Sequence, residues 1–273
     1  MNFLFFGRKP VACDALQMIL ECGHTVKGIV TTPPDQPDIH KRRLCDDAVL
    51  HNIPLLDEEQ IYDHMSRGKS IASINLEEID VVLSMFHQSR IKSPILDLPK
   101  IGAINIHPAP LPEFQGWGVY NFAIVESCPF WGVTAHYMDE GFDTGPIIVD
   151  ERFDVDMQYE TAFSLERRTQ PVILRVVRKL LHMLETGKPD ATPQRNGRYI
   201  SKKDFLRLRT IEPTDTPEMV DRKIRAFWYP PHPGAQLAHT TDSYTIVNTR
   251  LLHQLSNLML ADSTELNDFG SLK

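Results

Sequence analysis

The sequence has few cysteines, and they lie far apart along the chain. Its 273 residues contain Cys13, Cys22, Cys45 and Cys128, which are scattered and form no CxxC motif. Such spacing is typical of reduced thiols in a cytosolic protein, and it argues against a disulfide framework or a cysteine-based zinc site. The eleven histidines show no paired ligand spacing either, so we expect no bound metal.

Long apolar runs and an excess of positive charge are also lacking. No segment approaches the roughly 20 apolar residues of a membrane span. The short N-terminal run 1–6 lacks the basic leader of a signal peptide. The net charge of −7 provides no general basic field to hold nucleic acid. We therefore expect a cytoplasmic protein with no membrane or nucleic-acid partner, in which a local basic pocket can still bind an anionic small molecule.

What the sequence does contain is an alternation of short apolar runs with helical patterns. Strands are predicted at residues 2–6, 25–31, 79–84, 102–106, 131–138 and 146–149, and helices at 11–20, 41–51 and 162–185. This alternation predicts an α/β fold with a Rossmann-like, mainly parallel twisted sheet flanked by helices. We divide the chain into a main domain (1–190), a charge-rich connector (191–216) and a small C-terminal α+β unit (217–273) that contains a helix and a hairpin.

Two motifs lie at the ends of predicted strands. Asn105-Ile106-His107-Pro108 ends one strand, and Asp139-Glu140-Gly141-Phe142-Asp143-Thr144-Gly145 follows another. Residues two apart on a strand share a face, and Pro108 keeps the backbone of His107 extended. A turn at Thr144-Gly145 points Asp143 back over the sheet end. Because such sheets bind ligands beyond the carboxyl ends of their strands, we expect these side chains to meet in one site.

An amide, an imidazole and a carboxylate suit acyl transfer to an amine. The imidazole of His107 accepts a proton near neutral pH, and Asn105 or protonated His107 donates to the developing oxyanion. The carboxylate of Asp143 favours the protonated ring and orients it. Taken singly, the three residues are better explained as a core histidine, a turn-capping asparagine and a turn aspartate. Their joint occurrence in two motifs favours catalysis.

The two motifs resemble the signatures of the folate-dependent formyltransferases. Asn105–Pro112 with Gly116 is similar to the first signature, and Met138–Gly145 to the second. The resemblance covers about residues 1–190 and implies 10-formyltetrahydrofolate as the formyl donor, with Asn105, His107 and Asp143 as the catalytic set. It also implies a cis peptide before Pro112. The usual Ser-Leu is replaced by Ala109-Pro110, so a serine hydrogen bond made in relatives is lost here.

The resemblance also locates a folate pocket. In the family, backbone groups after the third strand bind the pterin, and apolar side chains line its slot. The implied folate-binding residues are Met85, Phe86, His87, Gln88, Arg90, Ile91, Asp139 and Gly141. Met85, Phe86 and Ile91 are equally compatible with ordinary core positions.

Three features resemble the sugar N-formyltransferases within this family. They are Pro110 with Gly116-Trp117 in the loop, the chain length, and the segment Arg225–Ala235. A methionyl-tRNA enzyme of the family has a larger, basic C-terminal domain. A purine-pathway enzyme has a glycine-rich loop where this chain has Gly7-Arg8-Lys9-Pro10. The resemblance thus implies a nucleotide-linked amino deoxysugar as acceptor, with dTDP as the carrier, in lipopolysaccharide or O-antigen biosynthesis, and a homodimer built on the C-terminal unit.

Several residues are candidates for contact with the sugar nucleotide. They are Arg8, Lys9, Trp117, His136, Phe227, Trp228 and Tyr229. Arg8 and Lys9 precede a helix and either meet a diphosphate or are simply solvated. His136 matches a histidine of the purine-pathway relatives. The aromatic segment 227–229 either stacks a base or docks the small unit onto the main domain.

Three rival functions remain at this point. The first is a hydrolase that releases formate from the same folate, although such enzymes usually carry an additional N-terminal domain. The second is formyl transfer to another small amine. The third is a non-catalytic folate- or nucleotide-binding module, which would not need a proton acceptor at His107.

Overall fold

The computed structural model describes residues 1–68, 71, 74–238 and 244–266. Its strands, in chain order, are β1 (Asn2–Gly7), β2 (Thr25–Val30), β3 (Val81–Met85), β4 (Gly102–His107), β5 (Gln115–Gly116), β6 (Phe130–Tyr137), β7 (Ile147–Asp154), β8 (Tyr199–Ile200), β9 (Thr210–Ile211) and β10 (Gln236–Leu237). Its helices are α1 (Pro10–Glu21), α2 (Leu44–Leu50), α3 (Glu58–Arg67), α4 (Val119–Val125), α5 (Ala162–Glu185), α6 (Lys202–Leu208), α7 (Pro217–Ala226) and α8 (Thr249–Leu266).

A six-stranded sheet in the order β2-β1-β3-β4-β6-β7 forms the centre of the molecule. β1 pairs in parallel with β2 and β3, and β3 pairs in parallel with β4. β6 runs antiparallel to both of its neighbours, β4 and β7. Every strand of this sheet except β6 therefore points the same way, and the predicted mainly parallel α/β fold is confirmed.

Both faces of the sheet are covered, which explains why its inner strands are apolar throughout. Phe3 and Phe5 of β1 belong to the core beneath α1 and α5, whereas Leu4 and Phe6 belong to the core on the opposite face. Successive residues of a strand point to opposite faces, so a strand buried on both sides appears as an unbroken apolar run. The edge strand β7 instead alternates partly buried residues with exposed charged ones.

The helix ends follow local sequence signals. α1 begins at Pro10, whose fixed backbone suits the first position of a helix. α5 covers residues 162–185 as the sequence predicts, and Thr161 caps it in a reciprocal capping box with Ser164.

Two elements differ from the sequence prediction in existence and one in length. α3 and α4 lie outside the predicted elements, and β7 extends to Asp154, beyond the predicted end at residue 149.

The segment 191–216, predicted as a connector, contains secondary structure and joins two parts of the molecule. β8 pairs in parallel with β5, which lies after β4, and β9 pairs in parallel with β10 of the C-terminal unit. A second core lies between α4, the start of α5 and these C-terminal elements. The predicted hairpin falls partly on residues 239–243, outside the described residues, and the described strand there, β10, pairs with β9 instead.

Within the described ranges, none of the helices combines the length and the apolar content that crossing a lipid bilayer requires.

Candidate active site

A cleft of about 370 Å³ opens beyond the carboxyl ends of β3 and β4. Its walls come from the segments that follow β3, β4 and β6, together with the residue before α1 and the first turns of α5. The lining residues are Lys9, Ser84, His136, Met138, Asp139 and Glu166, together with residues 86–91, 105–108, 116–120 and 141–143. The position agrees with the general preference of open α/β sheets for ligands at this edge.

Asn105, His107 and Asp143 come together in this cleft. Nδ1 of His107 lies 3.5 Å from Oδ1 of Asp143, and Nδ2 of Asn105 donates to the same oxygen at 3.2 Å. The backbone N–H of Gly116 donates to Oδ2 of Asp143 at 3.0 Å. The histidine and aspartate side chains are only 6% and 14% exposed, so their interaction is little screened by water.

The hydrogen bonds of His107 determine which of its ring nitrogens is basic. Nε2 lies 2.7 Å from the carbonyl oxygen of Phe114, and because that oxygen can only accept, Nε2 carries a hydrogen. Burial lowers the pKa of His107, so the ring is neutral near pH 7. Nδ1 is then the nitrogen with the lone pair, and it is the one that lies toward Asp143.

The carboxyl group of Asp143 is ionised at neutral pH. Burial alone would raise its pKa, but the neighbouring imidazoles of His107 and His136 and the N–H of Gly116 outweigh burial and hold the pKa well below its usual range. A proton that arrives on Nδ1 of His107 therefore completes an ion pair with Asp143. The pair is built to stabilise the imidazolium form once it is made.

His136, predicted as a substrate contact, lies within this cluster. Its Nδ1 is 2.8 Å from the carbonyl oxygen of Tyr137 and so carries the hydrogen, which leaves Nε2 to accept from Nδ2 of Asn105 at 3.3 Å. Nε2 of His136 also lies 3.5 Å from Oδ1 of Asp143. Both amide hydrogens of Asn105 are thus directed at His136 and Asp143. The oxyanion contact predicted for Asn105 requires one of these bonds to be exchanged for a ligand.

Three cleft residues have a left-handed backbone although none is glycine. The φ angles are 68° at Lys9, 55° at Phe86 and 58° at Asp143. Such angles are uncommon for residues with a side chain, and above all for a bulky one such as phenylalanine. Backbone of this kind clusters at functional sites, where the surrounding structure holds it in place.

Most residues predicted to bind folate line the cleft. These are Phe86, His87, Gln88, Arg90, Ile91, Asp139 and Gly141. Met85 does not, and the lining role predicted for it is wrong. As the last residue of β3 it shares a sheet face with Leu83 and is fully buried in the core beneath α1 and α5.

Polar contacts fix the walls around these residues. Nε2 of His87 lies 3.0 Å from the Glu58 carboxylate of α3, which also accepts a hydrogen bond from Ser89. Arg90 donates to Glu140 at 3.1 Å and so ties the segment after β3 to the segment after β6. The buried Nε of Arg90 has no hydrogen-bond partner among the described residues, which leaves a donor for a ligand.

A second polar group also lines the cleft. Nζ of Lys9 lies 2.5 Å from Oε2 of Glu166, and Oε1 of Glu166 accepts from the hydroxyl of Tyr229 at 2.8 Å. The Lys9 ammonium lies 4.6 Å from the ring centre of Phe86 and 5.4 Å from that of Tyr229. The buried hydroxyl of Tyr120 has no partner of normal geometry among the described residues. Charged and polar groups therefore accompany aromatic faces in this part of the cleft.

Of the remaining residues predicted to contact the substrate, some line the cleft and others do not. Trp117 lines the cleft and is 39% exposed. Arg8 is not part of the lining, and the charge of Lys9 is balanced by Glu166, so the predicted diphosphate contact loses its basis. Phe227 is 3% exposed and packs against Phe205, with ring centres 5.3 Å apart. Of the two roles left open for the aromatic segment, Phe227 therefore serves docking.

Trp228 is partly buried against the same core as Phe227, and Tyr229 holds Glu166. The sequence patterns did not predict Glu166, which lies on α5 remote from both motifs, or Tyr120, which lies in α4 shortly after the first motif. A signal for Glu166 exists, because it interrupts the buried stripe of α5 formed by Leu165, Thr169 and Val172.

Among the described residues, no three His, Cys, Asp or Glu side chains are grouped so as to hold a metal ion.

The sequence matches the formyl transferase family over residues 2–176. The methionyl-tRNA formyltransferase of Lachnospira eligens is 32% identical over 192 residues, which cover 68% of this chain and 59% of that protein. The GDP-perosamine N-formyltransferase of Brucella melitensis is 32% identical over 158 residues, which cover 58% of this chain and 60% of that protein. The chain therefore belongs to the formyl transferase family, and it spans about three-fifths of the length of these two relatives.

A solved structure shares the fold. The N-formyltransferase of Helicobacter canadensis, in complex with folinic acid and dTDP-3-aminofucose, superposes with a TM-score of 0.66 at 20% identity. The similarity covers 83% of this chain and 80% of that one. At this level of identity the comparison establishes the common architecture, and the acceptor must be argued from the residues of this chain.

Proposed function

We propose that the protein is an N-formyltransferase that moves the formyl group of 10-formyltetrahydrofolate to the amine of a nucleotide-linked amino deoxysugar. The observation that carries the proposal is the cluster of Asn105, His107 and Asp143 at a cleft that also holds the Lys9–Glu166 pair. The relatives that act on GDP-perosamine or bind dTDP-3-aminofucose support this class of acceptor. We take dTDP as the carrier nucleotide.

The proposed chemistry follows from the protonation states in the cluster. The donor supplies a one-carbon acyl group, and attack by the amine requires loss of a proton from nitrogen. Nδ1 of His107 has the free lone pair to take that proton, and Asp143 stabilises the resulting imidazolium from 3.5 Å. Protonated His107 and Asn105, each after exchange of one of its present hydrogen bonds, then donate to the oxyanion. The tetrahedral intermediate collapses as the bond between the formyl carbon and N10 of the folate breaks. His107 gives its proton to N10, so tetrahydrofolate leaves and the imidazole is neutral again.

The residues around the cleft fit a folate. Phe86, Ile91 and Met138 provide apolar surface for a flat ring, and the unpaired Nε of Arg90 provides a donor at the same wall. The left-handed backbone of Phe86 places this loop against Lys9 rather than continuing β3. Residues 86–91 and 138–143 would therefore hold the donor, while the chemistry takes place at His107.

We assign the binding site of the amino sugar to the part of the cleft that contains the Lys9–Glu166 pair and the aromatic rings beside it. A lysine donates to sugar hydroxyls, a carboxylate accepts from them, and aromatic faces cover the apolar side of a sugar ring. Glu166 is 4% exposed and is held by both Lys9 and Tyr229, so it is fixed in position before a ligand arrives. The net charge of −7 disfavours tRNA, whose binding relies on phosphate contacts.

The experiment that tests the proposal compares acceptors directly. The purified protein is given 10-formyltetrahydrofolate with dTDP-, GDP- or UDP-linked amino sugars, with methionyl-tRNA, or with no acceptor, and products are identified by mass. Formylation of a sugar nucleotide supports the proposal. Preferred formylation of methionyl-tRNA, or acceptor-independent release of formate, refutes it in favour of a tRNA enzyme or a hydrolase.

The Glu166→Gln and Lys9→Met variants test the proposed binding site of the amino sugar. Both keep the size of the side chain and remove one charge of the pair, and we expect each to raise the KM for the sugar nucleotide about tenfold, while the KM for the folate changes little. Arg8→Met serves as the matched control, because Arg8 is not in the lining. An unchanged acceptor KM in both variants contradicts the assignment. The homodimer and the cytoplasmic location stay predictions.

A further inference from the structure

Gln194 lies beyond residues 2–176, the range matched by the formyl transferase family, and contacts the loop that carries Asp143. Its side-chain nitrogen Nε2 donates to the carbonyl oxygen of Asp143 at 2.9 Å and to that of Gly145 at 2.7 Å. Its Oε1 accepts from Nε2 of Gln115 at 2.9 Å. All three hydrogen bonds of this amide are therefore directed at segments that build the site.

These hydrogen bonds hold Asp143 at two points, its side-chain carboxylate and its backbone carbonyl. Gln115 is followed by Gly116, whose N–H donates to the carboxylate of Asp143 at 3.0 Å. The side chain of Asp143 is thus held through Gly116, and its backbone carbonyl is held through Gln194. Because Gln115 and Gln194 are hydrogen-bonded to each other, these two contacts with Asp143 are linked.

The segment around Gln194 also anchors the loop that contains Gly116. Gln115 N–H donates to the carbonyl oxygen of Arg198 at 3.0 Å, and Trp117 N–H donates to that of Ile200 at 2.9 Å. Gly116 has a φ of 91°, and a Cβ at this position would lie 2.4 Å from the carbonyl oxygen of Ile200. Only glycine allows β8 to approach this closely.

Asp143 needs external support because its own backbone is in the left-handed region, with a φ of 58°. A residue in that region persists only where surrounding contacts hold it. The separation of 3.5 Å between Nδ1 of His107 and Oδ1 of Asp143 depends on that backbone position. A displacement of about 1 Å in a catalytic group typically costs about a hundredfold in rate.

We infer that Gln194 is a positioning residue, which holds the Asp143 carboxylate against His107 through the backbone carbonyls of Asp143 and Gly145. This inference rests on the proposed function, because it assigns a role relative to Asp143. The segment 191–200, which is part of the predicted connector 191–216, thereby completes the active site. Gln194 itself acts only through the loop and takes no part in the chemistry.

The test uses Gln194→Met, which keeps the length of the side chain and removes its three hydrogen bonds. We expect kcat to fall about 10- to 100-fold, with the KM for the folate little changed. Gln194→Glu keeps the acceptor for Gln115 but replaces the donors, and we expect a loss of similar size. Gln17→Met is the matched control, because Gln17 lies on the exposed face of α1 and bonds only to Glu21 in the described structure.

A double-mutant cycle with Asp143→Asn separates positioning from general destabilisation. If Gln194 acts through Asp143, we expect Gln194→Met to lower kcat by less than about threefold in the Asp143→Asn background. Full additivity of the two losses, or a wild-type kcat for Gln194→Met, overturns the inference. If Asp143→Asn alone keeps wild-type activity, the proposed catalytic set fails instead, so the two failures are distinguishable.

A titration that needs no activity completes the test. The Asp143 carboxylate favours the charged form of His107, so loosening it lowers the pKa of the imidazole further. We expect the NMR titration of His107, assigned with His107→Asn, to move to lower pH in Gln194→Met and to stay in place in Gln17→Met. An unmoved titration in Gln194→Met contradicts the inference even if no acceptor has been found.

Discussion

Replacing Asp143 with asparagine tests the central electrostatic claim with little change in shape. Asparagine tolerates the left-handed backbone of position 143 about as well as aspartate does, so the φ of 58° can be kept. Its side-chain oxygen can still accept the N–H of Gly116. What is lost is the negative charge beside Nδ1 of His107. In addition, the new amide can donate to that nitrogen and occupy the lone pair that accepts the proton.

The expected loss can be worked from the distance between the two groups. Unit charges 3.5 Å apart attract by about 5 kcal/mol at an effective dielectric constant of about 20. At about 1.4 kcal/mol per factor of ten, this is an upper limit of about three and a half orders of magnitude in rate. Because the amide keeps part of the interaction, we expect kcat to fall about 10²- to 10³-fold.

The assay measures formyl transfer to the sugar nucleotide at saturating substrate and, separately, binding of the folate. Binding should change little, because the carboxylate acts on His107 rather than on the donor. Asp154→Asn is the matched control, since Asp154 is exposed on the edge strand β7. A near-wild-type kcat for Asp143→Asn, with the fold intact, would show that the carboxylate does not stabilise the imidazolium and would refute the proposed mechanism.

Two further predictions concern stability. Phe227→Ala should cost about 3–5 kcal/mol in chemical denaturation, because the ring is buried against Phe205, and should leave the acceptor KM unchanged; a raised KM with unchanged stability would contradict docking. Burial holds the pKa of His107 below its ordinary 6.5, so the stability gained from the neutral ring is present above that pH and is lost as pH falls towards the folded pKa. The depressed pKa of Asp143 adds a further loss below about pH 4, because its carboxyl group then binds a proton in the unfolded chain but stays ionised in the folded protein. Denaturation midpoints from pH 8 to 5 should fall less in His107→Asn than in the wild type, and parallel curves would contradict the assignment.

The elements that the sequence predicts well are those with a strong local pattern. α5 has a capping residue, a long buried stripe and a closing Gly187, and its observed ends match the prediction. α4 is short and apolar except for Asn121, so its pattern does not distinguish a helix from a buried strand. α3 buries only Ile61, and its signals are the capping Asp57 and the terminal Gly68, which the sequence prediction does not use.

The sequence by itself determined the mainly parallel sheet and the placement of Asn105, His107 and Asp143 at the ends of strands, because alternation along a strand and turns at its end are local properties. Only the tertiary structure decided which nitrogen of His107 is basic, since the carbonyl of Phe114 sets the tautomer from a separate segment. It also brought Glu166 to Lys9 and Gln194 to Asp143, across 157 and 51 residues. Such contacts arise when remote elements pack together, and no local pattern of residues encodes them.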